Sequence, residues 1–238
     1  MLVRINKYLA SLGIAARRKV DEMIVAGRVV VNGKKVILGT KIDPERDEIL
    51  VDGKKLPRAQ KLVYIALNKP RGVTSTVSDS HANETVIDLV RAKERVFPVG
   101  RLDVNSQGLM LLTNDGELAN RLIHPKYHVA KKYEVLIGGK VRESTLERLR
   151  RGVMLDGERT MPVEVKVKVH SGKDTLVEMV LYEGRKRQIR RMCASLHLFV
   201  LYLKRVAIGP LSLGDLKEGE WRNLASEEII FLKEAVGV

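Results

Sequence analysis

The sequence predicts an α+β fold made of two modules, a small one over residues 1–60 and a larger one over residues 61–238. Apolar residues at helical spacing open the small module, and hairpin signals follow them. In the larger module, strand-like runs outnumber helix-like runs and lie at hairpin spacing, which predicts a mostly antiparallel mixed sheet. At 238 residues and 45% hydrophobic content, the chain is long enough for a small domain joined to a larger one.

Two short helices and a small sheet are predicted for the first module. Two sets of apolar residues recur at helical spacing: Ile5, Leu9 and Leu12, and then Val20, Met23 and Ile24. The second set ends at Gly27, a typical helix stop. Asn32-Gly33 and Asp52-Gly53 then lie between apolar runs, and such pairs favour two-residue hairpin turns. We therefore expect two helices followed by a three-stranded sheet.

A linker and then alternating strands and helices are predicted beyond the first module. The stretch LPRAQK, residues 56–61, combines a proline with mixed charge and is the predicted linker. Runs rich in Val, Leu, Ile and Tyr predict strands, namely LVYIALNKP, GLMLLTND, KKYEVLIGG, MPVEVKVKVH and DTLVEMVLY. Runs with helical spacing predict helices, namely GELANRLIHP, ESTLERLRRG and RQIRRMCASLH.

The charge of the chain is strongly positive, with 43 Lys and Arg against 29 Asp and Glu and a formal net charge of +14. Such a surface attracts polyanions over long range, and nucleic acid is the commonest of these. A basic enzyme without a polyanionic partner is the alternative. The cations of the first module expected to contact phosphates are Arg4, Lys7, Arg17, Arg18, Lys19 and Arg28. For any one of them, a solvated helix surface is the alternative.

Several classes of protein are excluded by what the sequence lacks. Cys193 is the single cysteine, which excludes an internal disulfide and a zinc site built on several thiolates. The histidines are scattered, and Pro125 separates His124 from His128, so no metal site is expected. Polar residues interrupt the amino terminus and no apolar run reaches about 18 residues, so we expect neither a signal peptide nor a membrane partner. The chain is predicted to be cytoplasmic.

The stretch GRLDVNSQGLMLLTND, residues 100–115, places Asp103 close to Arg101 and ahead of a polar turn and an apolar run. One interpretation is structural: the carboxylate accepts main-chain N–H bonds and caps the loop. The other is chemical: the carboxylate is the reactive acid of an enzyme. The stretch by itself leaves both interpretations open.

The segment AKKYEVLIGG contains a candidate platform for a nucleic-acid base. Strand alternation puts Tyr133, Val135 and Ile137 on one face. Aromatic residues make up only 4% of the chain, so Tyr133 is a candidate for stacking on a base, with an ordinary core position as the alternative.

The segment EGRKRQIRRMCASL combines a helical apolar stripe with a dense run of cations. These cations are Arg185, Lys186, Arg187, Arg190 and Arg191. Phosphates would offset their mutual repulsion, and so would a single buried carboxylate. An arginine fork beside Asp103 would keep that acid ionised and orient it as a nucleophile.

Residues 4–33, RINKYLASLGIAARRKVDEMIVAGRVVVNG, resemble the S4 RNA-binding domain. The matching features are the turn GIAARR and the ending IVAGRVVVNG. The resemblance implies a small S4-like α/β domain whose ligand is structured RNA and whose two helices face that RNA.

The larger module resembles the catalytic domain of the S4-domain pseudouridine synthases that modify ribosomal RNA, the RsuA type. GRLDVNSQGLMLLTNDG, AKKYEVLIG and EGRKRQIRRM are similar, in this order, to the three motifs of that family, and NKPRGVTST and HPKY fit the same pattern. NDGELANRLIHPKYHVAKKY is most similar to the branch that acts on the large subunit, and therefore on 23S RNA. Ser106 and Gln107 lie where many members of the family have Thr or Ser followed by another small residue, so Gln107 is a departure from the family pattern. The resemblance implies a monomer that acts on ribosomal RNA or a ribosome assembly intermediate.

The resemblance also implies roles for individual residues. Asp103 corresponds to the nucleophile, Tyr133 to the residue stacked on uracil, and Arg190 to the arginine paired with the aspartate. A separate hypothesis, based on the position of Arg101 beside Asp103, is that Arg101 fills the space that the target base leaves. The remaining cations of the third motif, expected to bind RNA, are Arg185, Lys186, Arg187 and Arg191. Isomerising uridine to pseudouridine involves neither a redox change nor group transfer, so no cofactor is expected.

Other functions remain open at this point. The substrate could be 16S instead of 23S RNA. The chain could also be a non-catalytic S4-type ribosome assembly protein in which Asp103 is structural. A third possibility is an RNA hydrolase, which would need a second carboxylate near Asp103, and the nearby candidates are Asp115 and Glu117.

Overall fold

The computed structural model describes residues 1–57, 60–77, 84–171 and 173–238. These residues form two compact units, Met1–Leu62 with Ala92–Arg95, and Val63–Arg91 with Val96–Val238. Arg58 and Ala59 of the predicted linker lie outside the described residues, as does His81. The domain boundary after residue 60 therefore stays a prediction. Within the described ranges, no helix is long and apolar enough to cross a membrane.

The smaller unit combines two helices with short strands. In chain order its elements are β1 (Val3–Arg4), α1 (Ile5–Ser11), α2 (Arg17–Val25), β2 (Val29–Val31), β3 (Lys34–Lys35), β4 (Lys41–Ile42), β5 (Ile49–Val51) and β6 (Lys54–Lys55). Strands β3, β2, β5 and β6 form an antiparallel sheet in that order, and β1 pairs with β4. The predicted helical stripes form its core, where Leu9 and Val20 belong to one cluster with Val29 and Ile49.

Both predicted hairpin turns of the smaller unit are present. Asn32 and Gly33 have φ angles of 49° and 76°, and Asp52 and Gly53 have 54° and 72°. Positive φ at both central residues is the requirement of the two-residue turn that matches strand twist. The prediction of three strands is wrong, because each turn closes its own hairpin and the two hairpins join through β2 and β5.

The larger unit contains every strand and helix predicted for it. In chain order its elements are β7 (Tyr64–Lys69), α3 (Val86–Leu89), β8 (Phe97–Pro98), β9 (Gln107–Thr113), α4 (Gly116–Ile123), β10 (Lys131–Ile137), α5 (Glu143–Arg150), β11 (Met154–Leu155), β12 (Glu158–Arg159), β13 (Glu164–Ser171), β14 (Asp174–Leu181), α6 (Gln188–Ala194), β15 (Val200–Ile208), β16 (Leu211–Ser212), β17 (Trp221–Asn223) and α7 (Ser226–Glu234). Strand β15 was not predicted.

One large sheet organises this unit, with the strand order β13-β14-β10-β15-β9-β7-β17. Strand β16 pairs with β15, and β8 pairs with β9. Among the described strands of this sheet, only β9 and β15 run parallel to each other. The predicted α+β class with a mostly antiparallel mixed sheet is therefore confirmed.

Two hydrophobic clusters support the sheet. In the first, Leu146 of α5 and Met192 of α6 pack with Val135 of β10 and Val177 of β14. In the second, residues of α4 and α7 pack with β7 and β9. Every residue of β9 is buried. The sheet is therefore a rigid base for the loops at its strand ends.

Gly108 allows the parallel pair at the centre of the sheet to form. Its φ angle is 107°, and it lies opposite Arg205 in the register of β9 and β15. A Cβ atom at this position would lie 2.3 Å from the carbonyl oxygen of Arg205. Because only glycine tolerates both this φ and this approach, the glycine after the polar turn sets β9 directly beside β15.

Candidate active site

Asp103 lies in a tight turn that leads into β9, and its side chain is not used to hold that turn. The main-chain N–H of Ser106 donates to the main-chain oxygen of Asp103 at 3.0 Å. The Ser75 hydroxyl donates to the oxygen of Leu102 at 2.7 Å and accepts from the N–H of Leu102 at 3.1 Å. In the part of the chain that the structure describes, nothing donates a hydrogen bond to the Asp103 carboxylate. The interpretation of Asp103 as a loop cap therefore fails.

Asp103 lines a cavity of about 490 Å³. The wall of this cavity includes Tyr133, as well as charged and polar residues from three other segments of the larger unit. These are Arg101 and Ser106, Glu183 to Gln188, and Arg205. Tyr133 packs against the cluster that contains Val135 and Ile137, as the predicted alternation requires. The structure thus brings Asp103 and Tyr133 to one cavity although 30 residues separate them in the chain.

Arg190 of α6 acts on the Asp103 loop without bonding the Asp103 side chain. Its guanidinium donates to the carbonyl oxygen of Asn105 at 2.9 Å and to that of Val200 at 3.2 Å. Its Nε atom is buried, and no partner for it exists in the described ranges. Burial lowers the pKa of Arg190, and the Asp103 carboxylate acts in the opposite direction. The charge of Asp103 thus acts on Arg190, while the hydrogen bonds of the Arg190 guanidinium go to main-chain oxygens.

Among the other predicted cations of the larger unit, some side chains are paired with described residues and others are not. Arg185 bonds Glu183 at 3.2 Å and the main-chain oxygen of Arg159 at 3.0 Å, and Arg191 pairs with Asp156. Arg101, Lys186 and Arg187 are exposed and line the cavity, and their side chains make no hydrogen bond or ion pair with described residues. These three side chains are available to an anionic ligand.

The predicted phosphate-contacting residues of the smaller unit are all exposed. Arg28 forms a two-pronged pair with Asp52 at 2.7 and 2.6 Å, and Lys19 pairs with Glu22 at 2.7 Å. Arg17 reaches the Asn6 side chain at 3.5 Å. For the remaining three, the described residues provide no side-chain partner, and these are Arg4, Lys7 and Arg18.

Several polar residues at or near the cavity were not singled out from the sequence. Lys69 is fully buried, and its ammonium donates to the carbonyl oxygens of Pro70 and Val73, both at 2.8 Å. Burial lowers the pKa of Lys69 to about 8, although the Asp103 carboxylate raises it. The only sequence signal was a lysine ending the apolar run YIALNK. Lys131 and Arg205 also line the cavity, and Arg205 is only 5% exposed.

Gln107, the departure from the family pattern, is part of the packing of this region. Its side-chain amide donates to the Tyr202 hydroxyl at 2.8 Å and is itself buried. Ser106 is 1% exposed, and its hydroxyl lacks a partner among the described residues although it lines the cavity. A buried hydroxyl at a cavity wall is ready for a polar ligand.

The carboxylates that an RNA hydrolase would need are engaged elsewhere. Asp115 lies at the opposite end of β9, where it caps α4 and accepts from the Tyr64 hydroxyl at 2.8 Å. Glu117 pairs with Arg121 at 3.0 Å. Glu183 lines the cavity, but it accepts from the Met161 N–H at 3.0 Å and from the Gln188 amide at 2.6 Å. Of the described carboxylates that line the cavity, Asp103 alone has no hydrogen-bond partner.

The residues that line the cavity indicate a class of protein. A carboxylate without a hydrogen-bond partner lies among cations, in a cavity that also exposes a tyrosine to a ligand. Such a site suits covalent chemistry on a polyanionic substrate, because the cations can bind the substrate and the carboxylate can act as a nucleophile.

Comparisons with known proteins identify this class more closely. Residues 63–195 match the RNA pseudouridylate synthase family, and residues 3–49 match the S4 domain. An uncharacterized RNA pseudouridine synthase of Aquifex aeolicus is 45% identical and covers 100% of this chain, with 96% of its own length aligned. The ribosomal large subunit pseudouridine synthase B of Bacillus subtilis is 40% identical over 95% of this chain and 93% of its own. A crystal structure of a pseudouridylate synthase aligns with a TM-score of 0.70 at 31% identity, covering 97% of this chain and 99% of that one.

The chain belongs to the RNA pseudouridylate synthase family, and it is a pseudouridine synthase with an S4 domain. The resemblance seen in the sequence is therefore confirmed.

Proposed function

We propose that this pseudouridine synthase isomerises a uridine of ribosomal RNA in the large subunit, with Asp103 as the nucleophile. The observation that carries the proposal is that Asp103 lines the cavity while its carboxylate accepts no hydrogen bond from the described residues. A carboxylate suits this chemistry because it can add to the nucleoside and leave again. The large-subunit substrate is supported by the relative from Bacillus subtilis, and RNA as the ligand is supported by the S4 domain.

In this reaction the Asp103 carboxylate bonds C1′ as the N1–C1′ bond of uridine breaks. The freed uracil turns, C5 bonds C1′, and the carboxylate leaves. The proton on C5 is lost and N1 gains a proton, so that the atoms of substrate and product are the same. Asp103 thus needs no cofactor to complete the exchange.

Other residues of the cavity support each part of this cycle. The Tyr133 ring stacks on the uracil, and Arg190 keeps the loop in place through its bond to the Asn105 carbonyl oxygen. The target base must leave its RNA helix, which costs about a few kcal/mol of unstacking. Arg101, exposed at the rim, fills the space that the base vacates.

The predicted RNA-binding cations whose side chains have no partner among the described residues hold the RNA. In the larger unit these are Arg101, Lys186 and Arg187, and in the smaller unit Arg4, Lys7 and Arg18. The paired cations Arg17, Lys19, Arg28, Arg185 and Arg191 contribute after exchanging their present partners. The chain works as a monomer on ribosomal RNA or on an assembly intermediate, in the cytoplasm.

The test is to incubate the protein with unmodified 16S and 23S RNA and to map carbodiimide-induced stops of reverse transcription. We expect one new stop in 23S RNA that is absent when Asp103→Asn replaces the wild-type protein. A stop in 16S RNA would contradict the substrate, and full activity of the Asp103→Asn variant would contradict the nucleophile. RNA binding without any stop would favour a non-catalytic assembly protein, and strand scission would favour a hydrolase.

A further inference from the structure

Lys131 occupies an unusual place beside the proposed stacking residue, and the inference that follows rests on the proposed function. Lys131 begins strand β10, two residues before Tyr133, and both residues line the cavity. Alternate residues of a strand point to the same face and lie about 7 Å apart, which is within reach of a lysine side chain. A base stacked on Tyr133 would therefore lie within range of the Lys131 ammonium.

The ammonium of Lys131 has no bonding partner in the described residues, although the side chain is partly buried. The neighbouring Lys132, on the other face of β10, pairs with Glu178 at 3.6 Å. Lys69, the other lysine with a strongly lowered pKa, is held by two carbonyl oxygens. Lys131 differs from both because its charge is neither exposed fully to water nor matched by the protein.

A second cation makes this position still less favourable in the absence of a ligand. Burial and, to a smaller extent, the charge of Arg205 on β15 together lower the pKa of Lys131 to about 8. Arg205 donates its Nε hydrogen to the carbonyl oxygen of Leu109 at 2.8 Å, so its charge is fixed in place. Both cations line one cavity, and no described carboxylate bonds either of them. They would therefore stabilise a ligand that carries or develops negative charge.

We propose that the Lys131 ammonium contacts the target uracil, binds one of its carbonyl oxygens, and stabilises the negative charge that the base gains when the N1–C1′ bond breaks. Both electrons of that bond go to N1 and are shared with the carbonyl oxygens at C2 and C4. Lys131 keeps its proton throughout. A preorganised cation at the position where charge develops acts more strongly in the transition state than on the neutral base.

The experiment compares Lys131→Met with Lys132→Met, a matched change on the adjacent residue. The substrate is an unmodified RNA segment that contains the target uridine, labelled with tritium at C5. The single-turnover rate is measured by tritium release, and the Kd for the same RNA is measured alongside it. We expect Lys131→Met to lower the single-turnover rate by about 10²–10³-fold, the usual effect of removing one charge-stabilising donor. The Kd of Lys131→Met, and both values for Lys132→Met, should stay within about threefold of wild type.

A cation at this position could instead bind a phosphate of the RNA backbone. The effect on the single-turnover rate, compared with the effect on Kd, distinguishes the two ligands. A loss confined to Kd would mean that Lys131 binds phosphate, and it would overturn the proposal. An unchanged rate would overturn it as well. If the wild-type protein is active and Asp103→Asn is not, these outcomes refute the role of Lys131 alone. If the wild-type protein has no activity on either ribosomal RNA, the proposed function and this inference both fall.

The pH dependence gives an independent readout. As the ammonium loses its proton, kcat/KM of the wild type should fall when the pH rises through about 8. Lys131→Arg stays charged, so it should retain part of the activity and lack this fall. The other ionisable side chains at the cavity are Arg101, Asp103, Tyr133, Glu183, Arg185, Lys186, Arg187 and Arg205. All of them are present in both proteins, so a fall that persists in Lys131→Arg would count against Lys131.

Folding is controlled in the same variants. Since Lys131→Met removes a charge that the folded protein matches poorly, its melting temperature at pH 7 should be equal to that of the wild type or a few degrees higher. A less active protein that is at least as stable cannot be explained by a structural role. Should the methionine disturb packing, Lys131→Gln repeats the measurement, and the same rate loss is expected.

Discussion

Strand β9 has an aspartate near each end, and the protein uses the two carboxylates in opposite ways. Asp115, after the strand, accepts from the N–H groups of Glu117 and Leu118 at 3.1 and 3.0 Å and from the Tyr64 hydroxyl at 2.8 Å. Asp103, before the strand, accepts no hydrogen bond within the described ranges and lines the cavity. One carboxylate stabilises the fold, whereas the other is kept available.

The comparison teaches how a reactive carboxylate can be recognised without a bound substrate. Both residues lie in loops next to the same buried strand, so position in the fold does not separate them. What separates them is hydrogen-bond use: the loop at Asp103 is held by Ser75, Ser106 and Arg190 through main-chain atoms. Because other residues do the structural work, the Asp103 side chain is left for chemistry.

The largest expected effect is the loss of activity in Asp103→Asn, which tests whether the two aspartates have different roles. We expect the rate of pseudouridine formation to fall by at least about 10⁴-fold, as for other nucleophile replacements. The free energy of unfolding should change by less than about 1 kcal/mol, since no hydrogen bond of the fold is removed. Tritium release and urea denaturation measure the two quantities. A destabilisation as large as that of an Asp115 variant would show that Asp103 is structural.

The reverse pattern is expected at the other end of the strand. Asp115→Ala removes the cap of α4 and the partner of the buried Tyr64 hydroxyl, and it should reduce the free energy of unfolding by about 2–3 kcal/mol. At a temperature where the variant is folded, its single-turnover rate should stay within about threefold of wild type. A rate loss like that of Asp103→Asn, in a folded protein, would reopen the possibility of a two-carboxylate hydrolase.

The smallest effects are expected in the smaller unit, where the same contrast between used and available charges applies to cations. Arg18 has no side-chain partner among the described residues, whereas Arg28 is bound by Asp52. Arg18→Gln should weaken RNA binding by about two- to tenfold. It should also reduce the slope of log K against the logarithm of the salt concentration by about one, because one phosphate contact is lost. Arg28→Gln should weaken binding less. Filter binding at several salt concentrations measures the effects of both variants. Equal losses would show that pairing with Asp52 does not reduce the contribution of Arg28 to RNA binding.

Much of the fold was predictable because it depends on local signals. The turns Asn32-Gly33 and Asp52-Gly53 are encoded by residues that accept positive φ, and the helices and strands follow the spacing of apolar residues. Strand β15 was missed because Lys204 and Arg205 interrupt its apolar pattern. Arg205 is nevertheless buried, with its Nε bound to the carbonyl oxygen of Leu109. A buried, hydrogen-bonded arginine cannot be told from an exposed one by sequence pattern.

The sequence by itself determined the α+β class, the two modules, the family and the candidate status of Asp103, Tyr133 and Arg190, because short motifs and periodicity encode these features. Only the tertiary structure decided how these residues meet. It placed Asp103 and Tyr133 at one cavity, directed the Arg190 guanidinium to the Asn105 carbonyl, and left Lys131 without a partner among the described residues. The physical reason is that the register of the sheet, set at Gly108 by its contact with Arg205, brings together segments about a hundred residues apart, and no local signal specifies which side chains then remain unbonded.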